Sequence, residues 1–130
     1  MSFAMRLQAL GKTKPLVMVV DDDHDIRDTL TALLEDEGYQ VSAHAHGRSA
    51  LEALQAGARP SLILLDLMMP VMDGDEFRRL QLADPALAGI PVVLVTAAAL
   101  ERTRLRSTYS EVLGKPVKIE RVLEVLSRYQ

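Results

Sequence analysis

The sequence predicts an α/β domain with a single doubly wound, five-stranded parallel sheet and helices on both faces. Two observations lead to this fold class. Short, continuous apolar runs alternate along the chain with segments whose apolar residues recur at helical spacing, which is typical of a parallel sheet. Several of these runs are rich in β-branched residues, as expected of strands that are covered on both faces.

Composition narrows the class of protein. The 130 residues suit one domain, and 48% apolar with 25% charged residues is the composition of a folded globular chain. The absence of cysteine excludes disulfides and thiolate sites. A net charge of -3 gives no reason to expect direct nucleic-acid binding. No apolar run approaches the roughly 18 residues of a membrane span, so a cytoplasmic protein without membrane contact is expected.

The first half of the chain is predicted to alternate strands and helices. In chain order these are strand 16–20, helix 25–37, strand 39–43, helix 48–55 and strand 61–66. Asp23 or Asp25 is expected to cap the first helix and Gly38 to end it. The second strand is the more polar one, which predicts an edge position.

The second half continues the alternation. Its predicted elements are helix 76–82, strand 92–96, a helix near 100–108, strand 111–114 and helix 119–126. Asp73 and Gly74 are interpreted as a turn that follows Pro70. Residues 1–14 are predicted to be an N-terminal tail or a short helix, because Phe3 and Leu7 fall at helical spacing.

Polar residues follow four of the predicted strands. Their positions are Asp21, Asp22, Asp66, Thr96 and Lys115. The carboxyl ends of parallel strands meet at one edge of the sheet, so these side chains are expected to converge there. Two carboxylates ~5 Å apart repel each other by roughly 3 kcal/mol at an effective dielectric constant near 20, so a compensating cation is expected.

The residue types indicate the chemistry of this edge. Carboxylate ligands without histidine or cysteine favour Mg²⁺. Beside such an ion Asp66 is expected to act as a nucleophile toward phosphorus, which would give an aspartyl phosphate. Lys115 and the Thr96 hydroxyl would help to neutralise and position the transferred group.

These residues resemble those of the receiver domains of two-component response regulators, over about residues 16–128. The matching parts are V-V-D-D after the first strand, Asp66 followed by M-P-V-M-D-G, V-T-A after the fourth strand and K-P after the fifth. The spacing of Asp21, Asp66 and Thr96 is also typical of the family. The resemblance implies a flavodoxin-like, receiver-type fold for residues 15–130.

The resemblance also implies roles for individual residues. Asp66 would be the phosphoacceptor, and Mg²⁺ would be bound directly by Asp22, Asp66 and the Met68 backbone carbonyl. Asp21 would act mainly through water. Lys115 would pair with Asp66 and then with the phosphoryl group, which Thr96 would also contact. Family members usually have a cis peptide at the position of Lys115–Pro116.

The family implies partners as well. A histidine kinase or phosphotransfer protein would donate the phosphoryl group, and an unknown output protein would respond. The chain would be a monomer or a phosphorylation-dependent homodimer. It would assist its own phosphorylation and dephosphorylation without being an enzyme in the ordinary sense.

The sequence departs from the family between Thr96 and Lys115. This segment is shorter than usual, so the fourth helix is expected to be short or distorted. The position three residues before the lysine, usually aromatic, is Val112, and Tyr109 is not expected to replace it. A basic face is predicted from the arginines Arg102, Arg104 and Arg106. This face would either contact an acidic partner or be solvated.

The residues are less consistent with three other functions. A small Mg²⁺-dependent phosphohydrolase with an aspartyl-phosphate intermediate would need an acid two residues after its nucleophile, where this chain has Met68. A nucleotide-binding module would need a Gly-rich loop after the first strand, which is absent. A zinc site at His44 and His46 would lack an identifiable third ligand.

Overall fold

Five strands and four helices make up the described part of the chain, residues 15–97 and 108–129 of a computed structural model. In chain order they are β1 (Leu16–Val20), α1 (His24–Asp36), β2 (Gln40–His44), α2 (Gly47–Gln55), β3 (Leu62–Leu65), α3 (Gly74–Ala83), β4 (Val92–Thr96), β5 (Glu111–Gly114) and α4 (Ile119–Arg128). The helix predicted near 100–108 and the basic face of Arg102, Arg104 and Arg106 fall almost entirely outside these residues, as does the predicted tail 1–14. No helix within the two ranges is long and apolar enough to cross a membrane.

The sheet is parallel throughout, with the strand order β2-β1-β3-β4-β5. The prediction of a doubly wound five-stranded sheet is therefore confirmed, as is the edge position of the more polar β2. The chain moves outward from β1 to β2 and then returns to β3 on the other side of β1. This reversal opens a crevice at the carboxyl ends of β1 and β3, where doubly wound folds bind their ligands.

Helices cover both faces of the sheet, each through its own apolar cluster. On one face α1 and α4 pack through residues that include Leu34 and Leu126. On the other face α2 and α3 pack through Leu54 and Phe77, among others. Successive residues of a buried strand point to opposite faces, so each central strand contributes to both clusters. This packing holds the strand ends in a fixed arrangement.

Local signals at the ends of α1 act as predicted. The Asp23 carboxylate accepts hydrogen bonds from the amides of Asp25 and Ile26, at 3.0 and 3.1 Å, and so caps the helix. Gly38 follows the helix with a φ of 95°, a conformation that costs glycine little. The cap starts α1 directly beside the acids that end β1.

The interpretation of Asp73 and Gly74 as a turn is wrong. Asp73 is the N-cap of α3 and accepts a hydrogen bond from the Glu76 amide at 2.8 Å, and Gly74 is the first helical residue. The turn lies just before them, where the Met72 amide donates to the Pro70 carbonyl at 2.8 Å across Val71, which has a φ of 70°. An Asp-Gly pair suits a turn, but aspartate is equally suited to begin a helix.

Candidate functional site

The candidate site lies at the carboxyl edge of the sheet, where β1, β3, β4 and β5 end. Asp21 follows β1, Asp66 follows β3, Thr96 ends β4 and Lys115 follows β5. The sheet hydrogen bonds continue into these positions. The Asp66 amide donates to the Val20 carbonyl at 2.9 Å, and the Lys115 amide donates to the Thr96 carbonyl at 3.2 Å. The backbone of the site is therefore an extension of the sheet.

Lys115 bridges two buried carboxylates. Its Nζ lies 2.8 Å from Asp21 Oδ2 and 3.3 Å from Asp66 Oδ2. Asp21 and Asp66 are only 3% and 6% exposed, so the three charges interact with little screening by water. The peptide bond from Lys115 to Pro116 is cis, as predicted. The shorter contact goes to Asp21, whereas the family resemblance implies a pair with Asp66.

Three carboxylates lie close enough to share one cation. Asp21, Asp22 and Asp66 each offer an oxygen, and these oxygens lie within 4.8 Å of one another. Asp22 is exposed, so the cluster opens to solvent on one side. Among the residues that the structure describes, no other group of three acidic, histidine or cysteine side chains is this compact. A set of carboxylate oxygens fits a hard divalent ion such as Mg²⁺.

Burial and charge shift the titration of the two principal groups. Burial raises the pKa of Asp66; Lys115 opposes this shift and the Asp21 charge adds to it, and the net effect is upward. Burial alone would lower the pKa of Lys115, but its hydrogen bond to Asp21 and the charges of Asp66 and Asp21 raise it. One lysine therefore stabilises the acids only in part, and an additional cation would stabilise the cluster further.

We expect Asp66→Asn to raise the free energy of unfolding at pH 7 when divalent ions are chelated. The pKa of Asp66 lies above its usual value of 3.8, so the folded chain binds this proton more tightly than the unfolded chain. The resulting cost is absent below pH 3.8 and grows as the pH rises through the folded-state pKa. Urea unfolding of both proteins should show a difference at pH 7 that disappears on acidification.

Magnesium provides the control for this measurement. An ion that binds only the folded state stabilises it by mass action, and Asp66→Asn removes one of the three carboxylates. Added Mg²⁺ should therefore stabilise the wild type more than the variant. A wild type that is the more stable protein at pH 7 in chelator would contradict the prediction.

Thr96 and Met68 complete the set of predicted residues. Thr96 is 4% exposed at the end of β4. The Met68 backbone donates a hydrogen bond to the Asp66 carboxylate, and the Met68 side chain is 55% exposed. Met69 and Met72, in the same loop, are buried. The roles predicted for the Thr96 hydroxyl and the Met68 carbonyl stay predictions.

The histidines beside the site make hydrogen bonds with serines. His44 Nε2 lies 2.8 Å from Ser42 Oγ, and its Nδ1 lies 2.7 Å from Ser49 Oγ. His46 Nδ1 accepts a hydrogen bond from the Ser49 amide at 3.2 Å and caps α2. Burial, and secondarily His46, lower the pKa of His44. These contacts give the pair a structural role in the β2–α2 connection, and no zinc cluster forms in the described ranges.

Two residues that were not predicted from the sequence also shape the site. Arg27, one turn into α1, donates from Nη1 to the Asp21 carbonyl at 2.7 Å. Gly74 packs so closely on the loop after β3 that a Cβ there would lie 2.6 Å from the Asp66 carbonyl oxygen. Arg27 lies four residues after the N-cap Asp23, and this helical spacing could have indicated that it lies near the acids that end β1. No local signal could have indicated the close approach of Gly74.

Comparison with known proteins assigns the chain to a family. The model of the response regulator receiver domain matches residues 17–127. A 14.6 kDa protein of Leptolyngbya boryana is 36% identical over 87% of this chain and 88% of its own length. The DNA-binding response regulator MtrA of Mycobacterium tuberculosis is 41% identical over 81 residues, which are 62% of this chain. The matched segment is only 34% of the length of MtrA.

Solved structures give the same result. The chemotaxis response regulator CheY4 of Vibrio cholerae has a TM-score of 0.81 and 32% identity over 91% of this chain and all of its own (100%). The receiver domain of the sensor histidine kinase PA1611 of Pseudomonas aeruginosa holds a magnesium ion in its active site cleft. It has a TM-score of 0.81 and 25% identity, and the match covers 88% of this chain and 96% of the PA1611 domain. The chain belongs to the response regulator receiver domain family.

Proposed function

We propose that Asp66 accepts a phosphoryl group from a phosphohistidine of a histidine kinase or phosphotransfer protein, and that this switches binding to an output protein. One observation carries the proposal. Asp66 is a buried carboxylate that lies 3.3 Å from the Lys115 amine within a cluster of three acids. That combination supplies a nucleophile together with the positive charge that the transferred group requires.

The chemistry follows from the positions of the side chains. An Asp66 carboxylate oxygen attacks phosphorus, a P–O bond forms, and the P–N bond to the donor imidazole breaks. The imidazole leaves and takes up a proton. Lys115 turns from the carboxylates to a phosphoryl oxygen, and the Thr96 hydroxyl donates to another. Both groups act in a poorly solvated site, where charge-assisted hydrogen bonds are strong.

The acid cluster would hold the magnesium ion. Asp22, Asp66 and the Met68 carbonyl would be its direct protein ligands, and Asp21 would contact it through water. When bound, the ion would neutralise charge that builds up on the phosphoryl oxygens. The exposed side of Asp22 leaves an entry from solvent. Asp21 meanwhile holds Lys115 at 2.8 Å and keeps the amine beside the acceptor.

We infer the wider context from the family. The domain would span residues 15–130, with residues 1–14 as a tail, and it would act in the cytoplasm without direct contact to nucleic acid or membrane. It would be a monomer or a phosphorylation-dependent homodimer. It would have no substrate other than its own phosphodonor, so it would be a switch and not an ordinary enzyme.

Incubation with Mg²⁺ and acetyl phosphate tests the proposal. Intact-mass spectrometry should show one added phosphoryl group on the wild type and none on Asp66→Asn. Asp36→Asn, which changes an exposed acid at the far end of α1, is the matched control and should accept the group normally. Equal labelling of Asp66→Asn would refute the assignment. Rapid consumption of acetyl phosphate without a stable 1:1 adduct would instead favour a phosphohydrolase.

A further inference from the structure

A buried arginine in α3 plays no part in the chemistry proposed above. Arg78 is 5% exposed, on a helix that begins at the phosphoacceptor loop. Burying a guanidinium is costly unless its donors are satisfied, and removing one partner of such a group is strongly destabilising. The contacts that compensate Arg78 therefore show which parts of the chain must stay together.

Arg78 joins α3 to the segment that enters β5. Its Nη1 donates to Gln81 Oε1 at 2.6 Å, its Nη2 donates to the Thr108 carbonyl, and its Nε lies 3.4 Å from Thr108 Oγ1. The guanidinium carbon also lies 5.6 Å from the centre of the Tyr109 ring, within range of a cation–π interaction. Thr108 and Tyr109 are thus held to α3 by several directional contacts.

Tyr109 extends this connection to the first turn of α3. The side chain is buried, and its hydroxyl donates to Asp75 Oδ1 at 3.0 Å. The adjacent residue, Gly74, donates from its amide to the Leu67 carbonyl at 2.8 Å and packs against the Asp66 carbonyl oxygen. We call Asp75, Arg78, Thr108 and Tyr109 the α3 latch. At one end of the latch Asp75 follows Gly74, which lies against the backbone of Asp66. At the other end Thr108 and Tyr109 lead into β5.

Both ends of β5 are therefore connected to the site around Asp66. At its carboxyl end β5 leads to Lys115, which contacts Asp66 directly. At its amino end the Ser110 amide donates to the Val92 carbonyl at 2.9 Å, beside the latch. Val112, at the family's usual aromatic position, packs against the same apolar cluster that contains Tyr109. The buried ring of Tyr109 thus occupies the side of the sheet that Val112 faces.

We propose that the α3 latch couples phosphorylation of Asp66 to the segment that enters β5, with Arg78 and Tyr109 as positioning residues. This inference rests on the proposed function of Asp66. Movement of the acceptor loop is passed through Gly74 and Asp75 to the Tyr109 hydroxyl. Coupling between two sites is reciprocal. If occupancy of the acceptor site changes the equilibrium between the closed and the loosened latch, then loosening the latch changes the affinity of the acceptor site by the same factor.

Tyr109→Phe tests the coupling because it removes only the hydroxyl. Beryllofluoride with Mg²⁺ serves as the phosphoryl mimic, and amide NMR shifts of the full chain are followed at Ser110 and Val112. We expect the mimic to shift these amides in the wild type and to shift them less in Tyr109→Phe, where β5 remains connected to the site only through Lys115. The beryllofluoride concentration at half-saturation should also change about fivefold, the low end of typical coupling.

Tyr129→Phe is the matched control. The Tyr129 hydroxyl donates to the Ser110 carbonyl at 3.3 Å, and its ring packs against the cluster on the opposite face of the sheet. This variant loses a hydroxyl that contacts the same segment but leaves the latch intact, so it should respond like the wild type. Arg78→Lys keeps the charge but loses the planar fork, and it should respond like Tyr109→Phe.

The outcomes separate the two proposals. If the wild type neither binds beryllofluoride nor accepts a phosphoryl group, the function proposed for Asp66 fails, and the latch inference fails with it. If the wild type responds and both Tyr109→Phe and Arg78→Lys keep the full response, only the latch is overturned. An equal loss in Tyr129→Phe would also overturn it, because the effect would then be general loosening of the segment.

Discussion

Gly74→Ala should lower the free energy of unfolding by about 1–3 kcal/mol and impair acceptance of the phosphoryl group. The added Cβ would lie 2.6 Å from the Asp66 carbonyl oxygen and 2.9 Å from the Leu67 α-carbon. Both are backbone atoms that continue directly from β3, so relief requires a shift of α3 or of the loop after β3. A shift of this loop would move Asp66 relative to Lys115.

The expected loss of stability comes from the steric clash and not from helix propensity. Alanine is favoured over glycine by roughly 0.5–1 kcal/mol in the middle of a helix, so propensity gives no reason to expect a loss of stability at this first helical residue. Gly89→Ala is the control, because a Cβ at that position meets nothing within 4 Å. Urea unfolding should place Gly89→Ala within about 0.5 kcal/mol of the wild type. A Gly74→Ala protein with wild-type stability and phosphorylation would show that the contact is not restrictive.

Lys115→Met should lower the free energy of unfolding at pH 7 by about 3–5 kcal/mol. Lys115 is the cation that lies between the buried carboxylates of Asp21 and Asp66, and methionine cannot stabilise them. The loss combines the missing attraction with the repulsion that remains between the two acids. Urea unfolding in chelator measures it, with Lys118→Met as the control, because Lys118 is exposed and makes no side-chain cap to α4.

The dependence on pH provides a second check. The pKa of Lys115 is raised above its usual 10.5, so its contribution is fully present below pH 10.5 and is lost as the pH rises through the folded-state pKa. The gap between the wild type and Lys115→Met should therefore persist at neutral pH and close in strong alkali. Added Mg²⁺ should stabilise Lys115→Met more than the wild type, since the ion replaces the missing charge. A variant as stable as the wild type in chelator would contradict the prediction.

Local sequence signals were sufficient to predict most of the fold. The apolar runs that became β1, β3 and β4 are recognisable because a strand buried on both faces tolerates few polar residues. Asp23 and Gly38 predicted the ends of α1 because caps depend on one or two residues. The edge of the sheet that carries Asp21, Asp66 and Lys115 followed from the rule that parallel strands end on one side.

Tertiary packing determined what these signals could not. Asp73 and Gly74 suit a turn or a helix start equally well, and the packing of α3 on Asp66 selected the helix. Arg78 and Thr108 lie 30 residues apart, and nothing near Arg78 in the sequence indicates that this charged side chain is buried. Periodicity and caps depend on near neighbours in the chain, so the sequence reveals them directly. Buried polar partners are chosen only when distant segments pack together, and the folded structure is needed to identify them.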